Sequence, residues 1–370
     1  MTKIIIVGPA SPLRGGISDF NEALAKSLVE KGFFVEIISF SLQYPKFFFP
    51  GKSQNRVEAD IDFNFKITPL INSINPFSWW KSANYIKSKK PSKVFIRFWM
   101  PFFAPCLGII GGYLKRNNIP VFGIVDNAVA HEKRFGDTRL VNFFLNKCDS
   151  HFTLSEKVKK DIETINSSVI VKSLFHPIYN TYSKITSRDS ALKRLNLKDG
   201  KYILFFGLIR KYKGLDLAIR AMSNELIIQK NIKLIIAGEF YDSEAKYQKL
   251  IKDLNLKNVM IFNQFIENKQ VPDFFSVSNL VILPYTSATQ SGVTQLAMYY
   301  QKPMLVTNVG GLPEIIDHKK DGYISSTNPE EISEYILDYF SVDSNELKMS
   351  KAISNKQDSY SWDSFVDEII

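Results

Sequence analysis

Cysteine and histidine are scarce in this chain. Its 370 residues include two cysteines, Cys106 and Cys148, and four histidines, His131, His151, His176 and His318. Two thiols exclude a disulfide scaffold and a cysteine-rich metal centre, and four imidazoles leave little material for any other metal site. No metal is expected, and a reducing, cytoplasmic setting is the default. Long apolar runs are missing as well. After Met-Thr-Lys, the stretch Ile4-Ile5-Ile6-Val7 is too short for a signal-peptide core, so no export signal is expected. The uncharged segment at residues 98–114 is short for a membrane span and holds Pro101, Pro105, Gly108, Gly111 and Gly112. Irregular backbone facing lipid would leave amides unsatisfied, so this segment reads as buried strand, loop and helix.

Several chemical signatures are also absent. Pro50-Gly51-Lys52-Ser53 resembles the end of a phosphate loop, but its first glycine position holds Lys46. His131-Glu132 opens a zinc-protease pattern whose second histidine position holds Phe135. Ser291 lacks the glycine two residues earlier that a nucleophile elbow needs, because Thr289 stands there. Asp60-Ile61-Asp62 is an acidic pair in a polar connection, a spacing that arises by chance.

What is present is an ordinary globular composition, 45% hydrophobic and 23% charged, in a chain long enough for two domains or more. The net charge of +10 is uneven. Residues 1–180 hold 24 Lys and Arg against 14 Asp and Glu, a balance of 24 − 14 = +10; residues 181–370 hold 23 of each. That asymmetry fits an anionic partner, either nucleic acid or the inner leaflet of a membrane, or a solvated basic face. Tyr44-Pro45-Lys46-Phe47-Phe48-Phe49 and Trp79-Trp80-Lys81 mix aromatics with lysine in a way that suits a membrane interface, or an ordinary loop packed on a core.

Strand and helix signals alternate along the chain, which predicts α/β architecture with parallel sheets. Strands are expected at residues 3–7, 34–40, 94–97, 120–125, 151–154 and 169–171, with Ser155 capping a helix over 156–164. Residues 176–199 read as a polar linker. A second series is expected at 202–206, 233–237, 259–262, 280–283, 304–306 and 323–324. Two consecutive Rossmann-like domains are the simplest account. Residues 360–370 form a candidate amphipathic helix.

Four features carry chemistry. Gly15-Gly16 enters a helix at Ile17, where backbone amides without Cβ atoms seat a phosphate or sugar hydroxyl. Arg210 and Lys213 lie within the loop that runs from Gly207 to Gly214, after a strand, where open α/β sheets bind ligands. A guanidinium grips two phosphate oxygens and an ammonium adds a point charge. Thr286-Ser287-Ala288-Thr289-Gln290-Ser291-Gly292-Val293 precedes a helix whose N-terminus suits a diphosphate. Asp126-Asn127-Ala128-Val129-Ala130-His131 follows another strand and places an imidazole there.

These pieces, with Lys302-Pro303 and Val309-Gly310-Gly311-Leu312-Pro313-Glu314 following in order, resemble glycosyltransferase family 4, retaining enzymes of the GT-B architecture. The resemblance implies an acceptor domain over residues 1–180 and a nucleotide-sugar domain over 181–355, facing each other across a cleft. It also implies a final helix, 356–370, that crosses back onto the first domain. Catalysis would rest on His131, Arg210 and Lys213. The donor, a nucleotide-diphosphate sugar, would be held by Gly15, Gly16, Gly207, Glu239, Gln290, Ser291, Gly292 and Val293, with no metal and no other cofactor. Arg210 and Lys213 would neutralise the leaving diphosphate, while His131 would hydrogen-bond the sugar or the developing charge. The implied acceptor is a glycan or a lipid-linked molecule at the inner face of the plasma membrane, with anionic lipid as a partner. No motif for nucleic acid accompanies the basic half, so none is expected.

The chain departs from the family pattern in two places. Ala288 and Leu296 stand where the family carries two glutamates eight positions apart, the second of which holds the donor ribose. Leu208 stands where an arginine usually follows the loop glycine, and Arg210 is assigned that role. The alternative is a catalytically silent protein of the same fold that binds a glycan or a partner.

Overall fold

The computed structural model describes residues 2–45, 54–55, 63–129, 135–178 and 182–370. His131, the lysine-aromatic segment at 46–53 and Asp60-Ile61-Asp62 lie outside them. The chain divides into two compact units, one of Met1–Pro177 with Ser361–Ile370 and one of Ile178–Tyr360.

The first unit contains β1 (Lys3–Val7), α1 (Gly16–Glu30), β2 (Phe34–Leu42), β3 (Lys66–Asn72), α2 (Pro76–Ser88), β4 (Lys93–Phe98), α3 (Ala104–Arg116), β5 (Val121–Val125), α4 (Asp137–Leu145), β6 (Ser150–Thr153), α5 (Glu156–Ile165) and β7 (Val171–Ser173). Its seven strands are all parallel, in the order β3-β2-β1-β4-β5-β6-β7. Such a sheet is covered on both faces, so strands such as β1 and β5 are near-continuous apolar runs, while β2 and β4 also bury Glu36 and Arg97. Ile5 and Val7 join one buried cluster, with Ile38, Val94 and Ile96. Ile4 and Ile6 join the opposite one, with Phe20, Leu24 and Phe95. The two-residue period of β1 thus divides its side chains between the two layers.

The second unit contains α6 (Arg188–Arg194), β8 (Lys201–Phe206), α7 (Leu215–Ala221), α8 (Glu225–Gln229), β9 (Ile232–Ala237), α9 (Glu244–Asp253), β10 (Val259–Phe262), α10 (Val271–Val277), β11 (Leu280–Leu283), α11 (Gly292–Tyr299), β12 (Met304–Thr307), β13 (Gly322–Ser325), α12 (Pro329–Tyr339) and α13 (Asn345–Lys356). Six parallel strands run in the order β10-β9-β8-β11-β12-β13. Leu204, Ile235, Val281 and Leu283 face one layer, and Ile203, Phe205, Leu234 and Ile282 the other.

The last helix, α14 (Trp362–Ile369), belongs to the first unit. Trp362, Phe365, Val366 and Ile369, spaced to lie on one helical stripe, enter the cluster beneath α1. Trp362 and Phe365 meet the ring of Phe20 at 4.9 Å and 5.7 Å, edge to face. Asp367 pairs with Lys31 at the end of α1.

Two elements escape the sequence reading. β3 is an edge strand with Pro69 and a half-open burial pattern, so it lacks the apolar run of its neighbours. α6 lies inside the stretch read as a linker. Its seven residues are too few to show periodicity, and tertiary contacts hold it: Ser187 caps it, Ala191 and Leu192 are buried, and Arg194 pairs with Asp273 of α10. The strand expected at 169–171 runs over Val171–Ser173 instead. Residues 98–114 resolve into the end of β4, a 3-10 turn at Pro101–Phe103 and most of α3. No helix among the described residues is long and apolar enough to cross a membrane.

Candidate functional site

In the second unit the chain order reverses at β8, which hydrogen-bonds β9 on one side and β11 on the other. Ligands of open parallel sheets bind beyond the carboxyl ends of the strands at such a switch. The loops that follow β8 and β11 therefore frame the site, and these are the loops that hold Arg210, Lys213 and residues 286–293.

The loop after β8 is fixed on both sides. Towards β9, the Gly207 amide donates to the Ala237 carbonyl at 2.9 Å, and the Ile209 amide donates to the Glu239 carbonyl at 2.9 Å. Tyr241 returns a bond to the Ile209 carbonyl at 2.9 Å, so Glu239 is held alongside Ile209. Gly238 is needed there, because a Cβ on it would stand 2.0 Å from the Gly207 carbonyl oxygen. Towards β11, Gly214 adopts φ 64° and ends the 3-10 turn Lys211–Lys213. Any side chain on it would meet the Pro284 carbonyl oxygen at 1.9 Å. The Thr286 amide donates to the Tyr212 carbonyl at 2.8 Å, and the Tyr212 and Tyr285 rings meet edge to face at 6.0 Å.

These contacts bury Lys213, leaving it 8% exposed. Its Nζ lies 5.6 Å from the centre of the Tyr285 ring, within cation–π range. The Cβ position of Gly207 is 3.3 Å from that amine and 3.5 Å from a Val293 methyl, so Gly207, Lys213 and Val293 share one small space. Burial, with the neighbouring Arg210 charge second, lowers the Lys213 ammonium to about 7. Arg210 is exposed, and its guanidinium lies 5.1 Å from the Tyr241 ring centre.

The second wall is the start of α11. Ser291 caps the helix by accepting from the Val293 amide at 3.2 Å, and its hydroxyl meets the Tyr285 hydroxyl at 3.2 Å. Gly292 is the first helical residue and Gln290 the half-buried residue before the cap. Gly310, at φ 56°, clamps this loop from the β12 side: a Cβ there would come within 1.6 Å of the Ala288 carbonyl oxygen. The Gly311 amide donates to the Thr289 carbonyl at 3.1 Å. Leu296 is buried in the apolar cluster with Val293 and Ala297. Gln295 is also buried, and its Oε1 accepts no hydrogen bond among the described residues.

Arg210, Lys213, Gly207, Glu239, Gln290, Ser291, Gly292 and Val293 thus sit on adjoining loops of the second unit. Gly15 and Gly16 lie in the first. Gly15, at φ 121°, precedes α1, with open space where its Cβ would be, and Gly16 is the first helical residue. Asp126, five residues before His131 in the sequence, is buried in an ion pair with Arg97. Tyr212, Tyr241, Tyr285, Gly238 and Gln295 were not singled out from sequence. Tyr285 directly follows the Leu283-Pro284 strand end, the one local signal that marks it.

The sequence profile described as Glycosyl transferases group 1 matches residues 187–356. An uncharacterised glycosyltransferase of Methanocaldococcus jannaschii is 28% identical over 176 residues, 46% of this chain and 44% of that protein. Alignments of this kind span about half the length of the curated relatives. The sucrose-phosphate synthase of Thermosynechococcus elongatus has the same fold, with a TM-score of 0.77 at 14% identity over 100% of this chain and 97% of that one. HepE of Anabaena, solved with UDP and glucose, superposes with a TM-score of 0.75 at 14% identity over 100% of this chain and 99% of that one. The fold is the GT-B fold, two Rossmann-like domains in succession with a final helix returned to the first. The second unit, over residues 187–356, is similar to the group 1 glycosyltransferases.

Proposed function

We propose that the chain is a retaining glycosyltransferase that moves a sugar from a nucleotide-diphosphate sugar to a glycan or lipid-linked acceptor. The observation that carries this reading is the pair Arg210 and Lys213 at the β8–β11 switch, one exposed and one buried. Two cations beside the amides that open α11 match the charge of a diphosphate. HepE, a protein of the same fold, was solved with UDP, which supports a uridine nucleotide as the first candidate.

In this mechanism the bond between the sugar C1 and the diphosphate oxygen breaks as a bond to the acceptor hydroxyl oxygen forms on the same face. The acceptor proton passes to the departing phosphate oxygen. Arg210 and Lys213 stabilise the charge that develops on the diphosphate, without a metal ion, and this electrostatic term supplies most of the rate. Gly207, with no side chain, leaves the phosphates room beside the Lys213 amine. Ser291, Gly292 and Val293 present the helix start, Glu239 and Gln290 hold the sugar, and His131 hydrogen-bonds a sugar hydroxyl. The first unit, with the Gly15-Gly16 turn, takes the acceptor at the cytoplasmic face of the membrane.

A second reading has a specific observation behind it. Ala288, in the loop before α11, and the buried Leu296, within it, offer no carboxylate, which favours a silent protein that binds a glycan or partner. A thermal-shift panel of UDP, GDP, ADP, dTDP and CMP with their sugars, run in EDTA, separates the two. One diphosphate raising the melting temperature supports the donor site and names the base. No shift with any nucleotide at millimolar concentration favours the silent protein.

A further inference from the structure

The outer surface of α2 and α3 is the most unusual exposed face of the first unit. Phe77 is 85% exposed, Trp80 63% and Ile74 55%, and Ile109 on α3 adds a fourth apolar side chain at 42%. Of the four tryptophans in the chain, Trp79, Trp99 and Trp362 are buried and Trp80 alone is exposed. A tightly braced turn holds the apolar group outward. Asn75 caps α2 by accepting from the Phe77 amide at 3.0 Å, Ser78 Oγ donates to the Asn72 carbonyl at 3.0 Å, and the Trp79 indole donates to the same carbonyl at 2.7 Å. Trp79 is thereby fixed inward and Trp80 outward.

The segment that carries this group has charge of one sign, and the carboxylate that α2 meets among the described residues is the buried Glu36, under Tyr85. Residues 67–125 contain no Asp or Glu and eight Lys and Arg. Phe77, Trp80, Lys81, Asn84 and Lys87 follow one another at helical spacing along the outer side of α2. Tyr113 of α3 joins that stripe by donating to Asn84 Oδ1 at 2.6 Å, with the Lys87 amine 6.0 Å from its ring centre. Lys81, Lys87 and Lys90 have no carboxylate partner among the described residues. Exposed aromatic and aliphatic side chains beside unpaired lysines are what a helix lying in the plane of a bilayer presents to acyl chains and anionic headgroups.

We infer that the α2–α3 face is the surface by which the protein docks on an anionic phospholipid membrane, with Phe77 and Trp80 entering the interface and Lys81, Lys87 and Lys90 meeting the headgroups. Ile74 and Phe77 follow directly after the carboxyl end of β3, the same sheet edge as the turn that leads into Gly15-Gly16. Docking in this way presents the acceptor edge of the unit to the lipid surface. The inference extends the proposed use of a lipid-linked acceptor, but its test is independent of transfer.

The test uses the full chain with vesicles of phosphatidylcholine alone or with phosphatidylglycerol. Sedimentation gives the bound fraction, and quenching by brominated lipid reports Trp80, the one exposed indole. We expect binding to the anionic vesicles only, weakened by salt, with quenching of tryptophan emission. F77S/W80S and K81E/K87E/K90E alter exposed positions and should each reduce binding by more than about tenfold while leaving the nucleotide-induced thermal shift intact. Failure of the unaltered chain to bind, or undiminished binding by both variants, overturns the inference. A change from dimer to monomer in the variants, without vesicle binding, assigns the face to a second copy of the chain and also overturns it. Vesicle binding without any nucleotide shift leaves the surface standing and removes the transferase reading.

Discussion

The amine of Lys213 lies 3.3 Å from the point that a Cβ on Gly207 would occupy, and among the described residues the charge that acts on it is the cation Arg210. A buried ammonium facing another cation is unfavourable for an empty site and favourable for one that receives an anion. Gly207 gives that anion a place to stand. In the proposed reading that anion is the diphosphate of the donor.

Lys213 makes diphosphate binding depend on pH. Its ammonium is lowered to about 7 in the free protein, below its ordinary 10.5, so the charged form is half present at 7, nearly complete about one unit lower and lost above. A bound diphosphate favours the charged form, so affinity falls by up to about tenfold per pH unit above 7, and below about 6 it falls again as the terminal phosphate takes up a proton. Calorimetric titration of the nucleotide across this range should show that slope. Lys213→Arg, always charged, should flatten it.

Gly310 joins the loops after β11 and β12. Gly310→Ala forces a side chain into the Ala288 carbonyl at a positive φ, a cost of about 1–3 kcal/mol or more. The expected outcome is a lower melting temperature for the second unit together with weaker nucleotide binding. Calorimetric melting with and without ligand checks both.

Two buried histidines predict acid sensitivity in the first unit. Burial holds His176 at about 3, with the Arg97 charge adding to it, and holds His151 at about 4. Both folded values lie below the ordinary 6.5, so the unfolded state binds more protons below that pH. Their contribution is whole above 6.5 and is lost as pH falls towards 3 or 4. Each histidine adds a slope of about 1.4 kcal/mol per pH unit inside that window. Urea unfolding between pH 7 and about 4 should show it, and His176→Phe should reduce it.

Arg97 and Asp126 form a buried pair, with Nε 2.6 Å from Oδ2 and the guanidinium carbon 3.7 Å from the Phe20 ring centre. Asp126→Ala leaves the guanidinium unpaired and should cost about 3–5 kcal/mol. The double variant Arg97→Met/Asp126→Leu should lose less than Asp126→Ala alone. Denaturant unfolding of the three proteins checks the order.

The strands of both sheets were legible because parallel strands buried on two faces need unbroken apolar runs, as in Ile4–Val7 and Tyr202–Phe206. β3 was hidden because an edge strand with Pro69 needs none. α6 was hidden because Arg194 and Asp273, which help to hold it, are far apart in sequence. Arg210 and Lys213 drew attention by their place after a strand. The burial of Lys213 was not legible, since it depends on Tyr285 and on the approach of Gly214 to Pro284, contacts that no local pattern encodes. The exposure of Trp80 and burial of Trp79 follow from the Asn72–Trp79 hydrogen bond, which the Trp-Trp-Lys sequence alone leaves open.

The most direct test of the central claim is calorimetric titration of UDP, or of whichever diphosphate the panel selects, into the unaltered chain and the R210A/K213A variant in EDTA. Two charge-assisted contacts at about 1.5–3 kcal/mol each predict a loss of affinity of about a hundredfold or more, with an unchanged circular dichroism spectrum. Equal affinity in the two proteins would contradict the assignment of the donor site to the β8–β11 switch.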